Sequence, residues 1–230
     1  MMRRKSSFRR MAEYPLGVPE TPSPDDLTTG QPGNQAIRSP RLPGSRRVRP
    51  LAQLPDYLAS GLDIIFVGIN PGVQSAQAGH YYANPRNPFW RLLHRAGLTL
   101  RELRPEEDHL LLTFGYGLTD IVKRPSRGVA DLRPAEFRRG HRILEEKLRV
   151  RQPLIVCFNG KTGFANFFGA ERFKRFGLQA VMIGASRVYV VPSTSPANAG
   201  IPVFAKLRYF RALRRWREDL AHGRWLIAHS

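Results

Sequence analysis

The sequence predicts an α/β chain: a three-layer α/β/α sandwich with a central, mostly parallel sheet. Two apolar runs, residues 63–67 and 154–158, are short and β-branched, and each stops at a polar loop. Segments with apolar residues three or four positions apart lie between and after them. Strands that alternate with helical segments argue for a sheet covered on both faces.

The elements follow in order. Residues 63–67 form the first strand, which ends at Gly68-Ile69-Asn70-Pro71-Gly72. Asn87-Pro88-Phe89-Trp90 reads as a helix start, with Asn as N-cap and Pro at the first helical position. Gly97 suits the end of that helix. Pro105-Glu106-Glu107-Asp108 resembles another helix start, with acids in the first turn. Gly115-Tyr116-Gly117 breaks the chain before Leu118-Thr119-Asp120-Ile121-Val122. Residues 134–150 read as a helix with Phe137, Leu144 and Leu148 on one face. The second buried strand is 154–158, and 161–168 is helical. Residues 180–183 and 187–191 pair as strands across Gly184-Ala185-Ser186. The last helix, about 203–221, has apolar positions 203, 207, 210, 213, 216 and 220.

A length of 230 residues fits one domain with a tail. Residues 1–50 carry ten Lys or Arg against four acids, with many Pro, Gly and Ser. Such a segment buries too little apolar surface to offset its ordering entropy. The expected organisation is a disordered basic arm over 1–50, a folded domain over 51–223 and a short tail over 224–230. The whole chain has 37 Lys plus Arg against 18 Asp plus Glu, net +19. That balance favours a polyanionic partner, nucleic acid first.

Cys157 is the single cysteine, so an intramolecular disulfide and a cysteine-cluster metal site are both excluded. The six histidines show no HxxxH or HxH spacing, so neither a metal nor another cofactor is expected. No apolar stretch approaches the roughly 20 residues of a membrane helix. Met-Met-Arg-Arg-Lys leads into no apolar region of a secretory signal, so the expected location is the cytosol.

Two loops follow apolar strands. One is 68–72 and the other is Pro192-Ser193-Thr194-Ser195-Pro196-Ala197-Asn198. Both are expected at the same sheet edge, where open α/β sheets bind ligands. Asn70 is the one polar side chain in the first loop. Between the loops lies Gly79-His80-Tyr81-Tyr82-Ala83-Asn84-Pro85-Arg86-Asn87-Pro88-Phe89-Trp90. Phe89 and Trp90 read as core, and Tyr82 as a lining residue able to stack on a base. Lys161, after Asn159-Gly160, opens a helix and is a candidate phosphate contact. Arginines 208, 211, 214, 215 and 217 read equally well as a solvated face.

These motifs, in this order, resemble the mismatch-specific uracil-DNA glycosylase and thymine-DNA glycosylase family over roughly residues 55–220. They are Gly68-Ile69-Asn70-Pro71-Gly72, Tyr82-Ala83-Asn84-Pro85, Asn87-Pro88-Phe89-Trp90 and Phe158-Asn159-Gly160-Lys161. Pro192-Ser193-Thr194-Ser195 is closer to the thymine-DNA glycosylase version. The resemblance implies a monomeric enzyme that flips uracil, or thymine mispaired with guanine, out of DNA and hydrolyses the glycosidic bond. Single-stranded DNA is a second possible substrate. On the resemblance, Asn70 positions the attacking water and Tyr82 stacks on the flipped base. The backbone of Ile69 and Gly72 bonds the pyrimidine edge, and Ser75 lines the pocket near C5. Residues 193–198, with Ser193, Ser195, Ala197 and Asn198, enter the minor groove.

The chain departs from the family at two positions. Ala197 stands where the family places a large wedge, commonly Leu or Arg, and is too small to fill a vacated stack. Asn198 is the candidate substitute. Asp120 stands where relatives commonly carry Lys or Asn. A carboxylate can accept a proton and stabilise positive charge on the sugar, which an amide cannot. The expected place for Asp120 is the pocket wall opposite Tyr82; the alternative is a helix N-cap or an ion pair with Lys123 or Arg124. The rival functional class is a non-catalytic, basic nucleic-acid-binding module on the same fold. An occluded Asn70 or a missing pocket would favour it.

Overall fold

A computed structural model of the chain describes residues 51–223. The expected arm over 1–50 and tail over 224–230 lie outside the described residues. Five strands form one sheet: β1 Ile64–Gly68, β2 Tyr116–Asp120, β3 Ile155–Asn159, β4 Gly177–Ile183 and β5 Ser186–Val191. The order is β2-β1-β3-β5-β4. All neighbours pair in parallel except β4, which runs antiparallel to β5 at one edge. The three-layer α/β/α sandwich predicted from the sequence is the fold observed.

Alternation along the strands builds two cores. Ile64, Phe66, Leu118, Cys157 and Tyr189 face one side, and Ile65, Val67, Val156, Phe158 and Val190 face the other. Strands buried on both faces read as continuous apolar runs, which is why 63–67 and 154–158 stood out. The first core is covered by α2, Phe89–Arg95, by a ten-residue 3₁₀ segment, Pro105–Phe114, and by α5, Val203–Ala221. The second is covered by α3, Pro134–Arg151, and α4, Lys161–Phe168. In α3 the buried residues are Phe137, Leu144 and Leu148, the face the spacing predicts. A short helix, α1, Val73–Ala78, follows the first loop directly.

Three local expectations need correction. The chain does not break before Leu118, because Tyr116 and Gly117 are inside β2. Glycine is required at 117 by a close approach, since a Cβ there would lie 2.6 Å from the Tyr57 carbonyl. Tyr57 and Leu118 exchange backbone hydrogen bonds at 3.0 Å, so the glycine admits a neighbouring segment rather than ending the strand. Second, α2 begins at Phe89, with Asn87 Oδ1 accepting from the Phe89 N–H at 3.1 Å. The helix starts one residue later than expected, yet Asn87 still accepts the N–H two residues on, as an N-cap does. Third, Pro105–Phe114 winds as a 3₁₀ helix, although acids do fill its first turn.

Gly140 of α3 packs on the backbone just beyond β2, and a Cβ at 140 would stand 2.0 Å from the Ile121 carbonyl oxygen. Alanine gains about 1 kcal/mol of helix propensity, but backbone cannot give way cheaply. Gly140→Ala is expected to lose about 1–3 kcal/mol of stability, as overpacked sites do. A lowered urea midpoint checks this; an unchanged or raised midpoint contradicts it.

Candidate active site

The carboxyl ends of the four parallel strands meet at one edge. Residues 68–72 follow β1, Asp120 ends β2, Asn159 ends β3 and residues 192–198 follow β5. β1 lies between β2 and β3, so the chain leaves it toward both sides, and a crevice forms at such a switch point. A cavity of about 690 Å³ opens there. Of the residues expected in the site, Ile69, Asn70, Gly72, Ser75, Tyr82, Asp120, Ser193, Ser195, Ala197 and Asn198 all line it, whereas Lys161 does not. Lys161 is exposed at the start of α4, beside the lining residues Gly160 and Thr162.

Asn70 is held by its amide. Nδ2 donates to Ser126 Oγ at 2.9 Å, to the Pro71 carbonyl at 3.0 Å and to the Arg124 carbonyl at 3.3 Å. Ser126 Oγ in turn donates to the Gly128 carbonyl at 2.7 Å. Every donor of the amide is committed to protein. The carbonyl Oδ1, which has no hydrogen-bond partner among the described residues, is the group left for a ligand.

Asp120 sits differently from either alternative drawn from sequence. It ends a strand, so it is no helix N-cap. Lys123 pairs with Asp56 and Arg124 with Glu136, so neither is its ion-pair partner. The side chain is only 6% exposed, and Oδ2 is buried without a hydrogen-bond partner. Burial pushes its carboxyl up to about 7; Lys123 opposes that shift and Asp56 adds to it. The space it occupies exists because its cross-strand neighbour is glycine. A Cβ on Gly68 would lie 2.2 Å from Asp120 Oδ1.

Tyr82 stacks on Phe89, with ring centroids 3.8 Å apart and planes inclined by 25°. Its backbone has φ +53°, an uncommon value for a residue with a side chain. The expected position across the cavity from Asp120 is not the one observed. The Tyr82 hydroxyl and Asp120 Oδ1 both flank Gly68, at 3.7 and 2.2 Å from the place its Cβ would take. The ring itself packs on Phe89, so it is the hydroxyl end that reaches the Asp120 side. The hydroxyl is buried with no hydrogen bond of acceptable geometry. Burial and the Asp120 charge raise its pKa, and the nearby Asn159 amide offsets this in part.

The backbone of the first loop is partly committed. The Ile69 carbonyl accepts from the Val122 N–H at 2.8 Å, and the Gly72 carbonyl from the Ala76 N–H at 2.9 Å. What remains for a ligand is their N–H groups and second carbonyl lone pairs. A Cβ at Gly72 would meet nothing within 4 Å, so packing does not require glycine there. Ser75 Oγ accepts from the Ala83 N–H at 3.2 Å, tying α1 to the Tyr82 segment.

The second loop is pinned at its base. Asn159 Nδ2 donates to Thr194 Oγ1 at 2.8 Å, and the Thr194 N–H donates to Asn159 Oδ1 at 3.0 Å. Asn198 has an exposed side chain, and its backbone N–H donates to the Ser195 carbonyl at 2.9 Å. Among the lining residues given no role from sequence are Arg86 and Arg127, both exposed, with Ser126 and Asn159. Asn159 had a signal, as the polar end of an apolar strand. Ser126 had none, because its contact with Asn70 spans 56 residues.

A charge network backs the Asp120 wall. Lys123 Nζ pairs with Asp56 and donates to Tyr81 Oη at 3.2 Å. Asp56 also accepts from Lys147 Nζ at 2.7 Å and Thr119 Oγ1 at 2.6 Å. Burial acts to raise the Asp56 pKa, but Lys123 leads the partners that hold it below its ordinary value.

The family model of the uracil DNA glycosylase superfamily matches residues 55–216. Among solved structures the chain is similar to the solution NMR structure of a proposed uracil DNA glycosylase from Methanosarcina acetivorans. Identity is 24%, coverage is 72% of this chain and 98% of that chain, and the TM-score is 0.48.

The Asp120 environment has a stability consequence. Its folded pKa is raised from an ordinary 3.8 to about 7. The protonated form therefore favours the fold, and that contribution is complete at low pH and lost as pH rises from about 4 to about 7. Asp120→Asn keeps the shape without the charge. Its Tm is expected to exceed wild type at pH 8, with the gap closing toward pH 4. A gap independent of pH contradicts the buried carboxylate.

Proposed function

The chain belongs to the uracil DNA glycosylase superfamily, whose members are DNA glycosylases, and from that membership we propose a monofunctional enzyme acting on mismatched DNA. It flips uracil opposite guanine out of the helix and hydrolyses the glycosidic bond, leaving an abasic site. Thymine and damaged pyrimidines are further candidate bases. The observation that carries the reading is a buried, unpartnered carboxylate and a fixed amide carbonyl opening into one cavity of about 690 Å³.

The chemistry follows from those groups. Tyr82, backed by Phe89, offers a flat face for the extruded base. The open space at Gly72 admits the pyrimidine edge to backbone N–H groups. Asn70 Oδ1 accepts one hydrogen bond from a water and orients it toward C1′ of the sugar. The Asp120 carboxylate takes a proton from that water as oxygen bonds to C1′ and the glycosidic bond breaks. The bond electrons leave with the base, and the carboxylate stabilises the positive charge developing on the sugar. A base with pKa near 7 suits proton transfer at neutral pH. The open cavity, with Asn70 on its wall, counts against the purely binding module.

The deciding assay incubates the protein with labelled duplexes holding G·U, A·U or G·T, or with single-stranded U, and then cleaves with alkali. Alkali-labile sites are expected at G·U. Their absence on every uracil-containing DNA at enzyme excess leaves the binding module as the reading.

Asn70→Ala is expected to slow single-turnover excision at least about tenfold while DNA binding survives, because positioning acts on the transition state. Asp120→Asn is expected to slow it by roughly 10²-fold or more, the range of general-base effects. The wild-type rate should rise with pH up to about 7 and then level, because only ionised Asp120 accepts a proton. A pH-independent rate between 5 and 8, or near-normal cleavage by Asp120→Asn, removes Asp120 as the base.

A further inference from the structure

We infer that Lys206 is a positioning residue, a latch that holds the 192–198 loop in the shape that fills the gap left by an extruded nucleotide. The use of the loop rests on the glycosylase reading; the latch rests on geometry.

Lys206 lies in the first turn of α5 and is only 4% exposed. Its Nζ donates to the Asn198 carbonyl at 3.0 Å, and it forms no ion pair among the described residues. A covered ammonium facing one neutral acceptor is a costly way to fill space. Desolvation lowers its pKa accordingly. An apolar side chain of similar length would fill the same volume at less cost, so stability does not explain a lysine here.

The bond it makes does explain it. Asn198 closes a tight turn on Ser195, with Pro196 and Ala197 at the two corners, and both corners line the cavity. The far foot of the loop is fixed by the Thr194–Asn159 pair. Beside it, Ser193 lies so close to Gly160 that a Cβ there would stand 3.0 Å from Ser193 Cβ. Lys206 fixes the near foot. The tip is thus held between two tethers, one to β3 and one to α5. This arrangement answers the small size of Ala197. A large wedge can offset loop ordering by the surface it buries in the stack; alanine cannot. A loop ordered before DNA arrives avoids that cost at the binding step.

The test uses the full chain and two variants, Lys206→Met and Lys206→Gln. Gln retains an N–H donor for the Asn198 carbonyl; Met does not. In single-turnover excision from a G·U duplex, Lys206→Met is expected to raise the half-saturating enzyme concentration about five- to tenfold, with the plateau rate within about twofold of wild type. Its Tm is expected to equal or exceed wild type. Lys206→Gln is expected to recover half-saturation to within about twofold of wild type. An unchanged half-saturation in Lys206→Met overturns the latch. So does a lowered Tm with a reduced plateau, which marks a merely structural residue, or a Gln variant as weak as Met. If the wild type cuts no uracil-containing DNA, the glycosylase reading has failed separately. Fluorescence anisotropy with a duplex holding an abasic-site analogue then reads the latch alone. The same ranking supports it, and equal affinities overturn it.

Discussion

The site is organised around one costly arrangement: a carboxylate with no partner, enclosed at the end of a parallel strand. Asp120 exists in that state because Gly68, across the strand pair, leaves out the one carbon that would collide with it. Desolvation alone would push so enclosed an acid toward permanent protonation. Lys123 opposes this from behind, while its own charge is largely matched by Asp56. The balance leaves the carboxyl near neutrality, where it can both hold and release a proton. The fold tolerates the cost because β1 on one side, the backbone bonds to Tyr57 on the other and the two cores determine where β2 ends.

The two loops around that acid are built alike. Each is fixed by side-chain amides bonded to distant backbone or hydroxyl groups, and each leaves a small exposed apex. Asn70 spends its amide on Pro71, Arg124 and Ser126, so its carbonyl is presented in one direction. Asn159 spends both ends of its amide on Thr194. Held groups of this kind lose little freedom when a ligand arrives, which is how a site positions a water or fills a stack with small residues.

Much of this was legible in the sequence, for identifiable reasons. α3, α4 and α5 are long enough, and periodic enough, to be read within a residue of their ends. β1 and β3 were visible because burial on both faces leaves an unbroken apolar run. β2 was hidden, since Gly115-Tyr116-Gly117 reads as a break until Tyr57 is seen to pack against Gly117. Asp120 was visible as an unexpected residue in a motif, but its state was not. That state depends on Gly68, 52 positions away, and on Lys123 choosing Asp56, 67 positions away. Tyr82 was recognised as a lining residue, yet its hydroxyl lies on the Asp120 side, and its left-handed backbone is one that no local pattern announces. Lys206 falls in phase with the apolar face of α5, and its contact with Asn198 is visible only in three dimensions.

The most direct test of this account is the titration of Asp120 itself. The ¹³C signal of its side-chain carboxyl carbon, assigned by its loss in Asp120→Asn, can be followed from pH 4 to pH 9 in the full chain. The account requires a midpoint near 7, where burial places it. A midpoint below 5, in the range of an ordinary solvated carboxylate, would mean that Asp120 is hydrated or paired in solution. The water step would then rest on Asn70 alone.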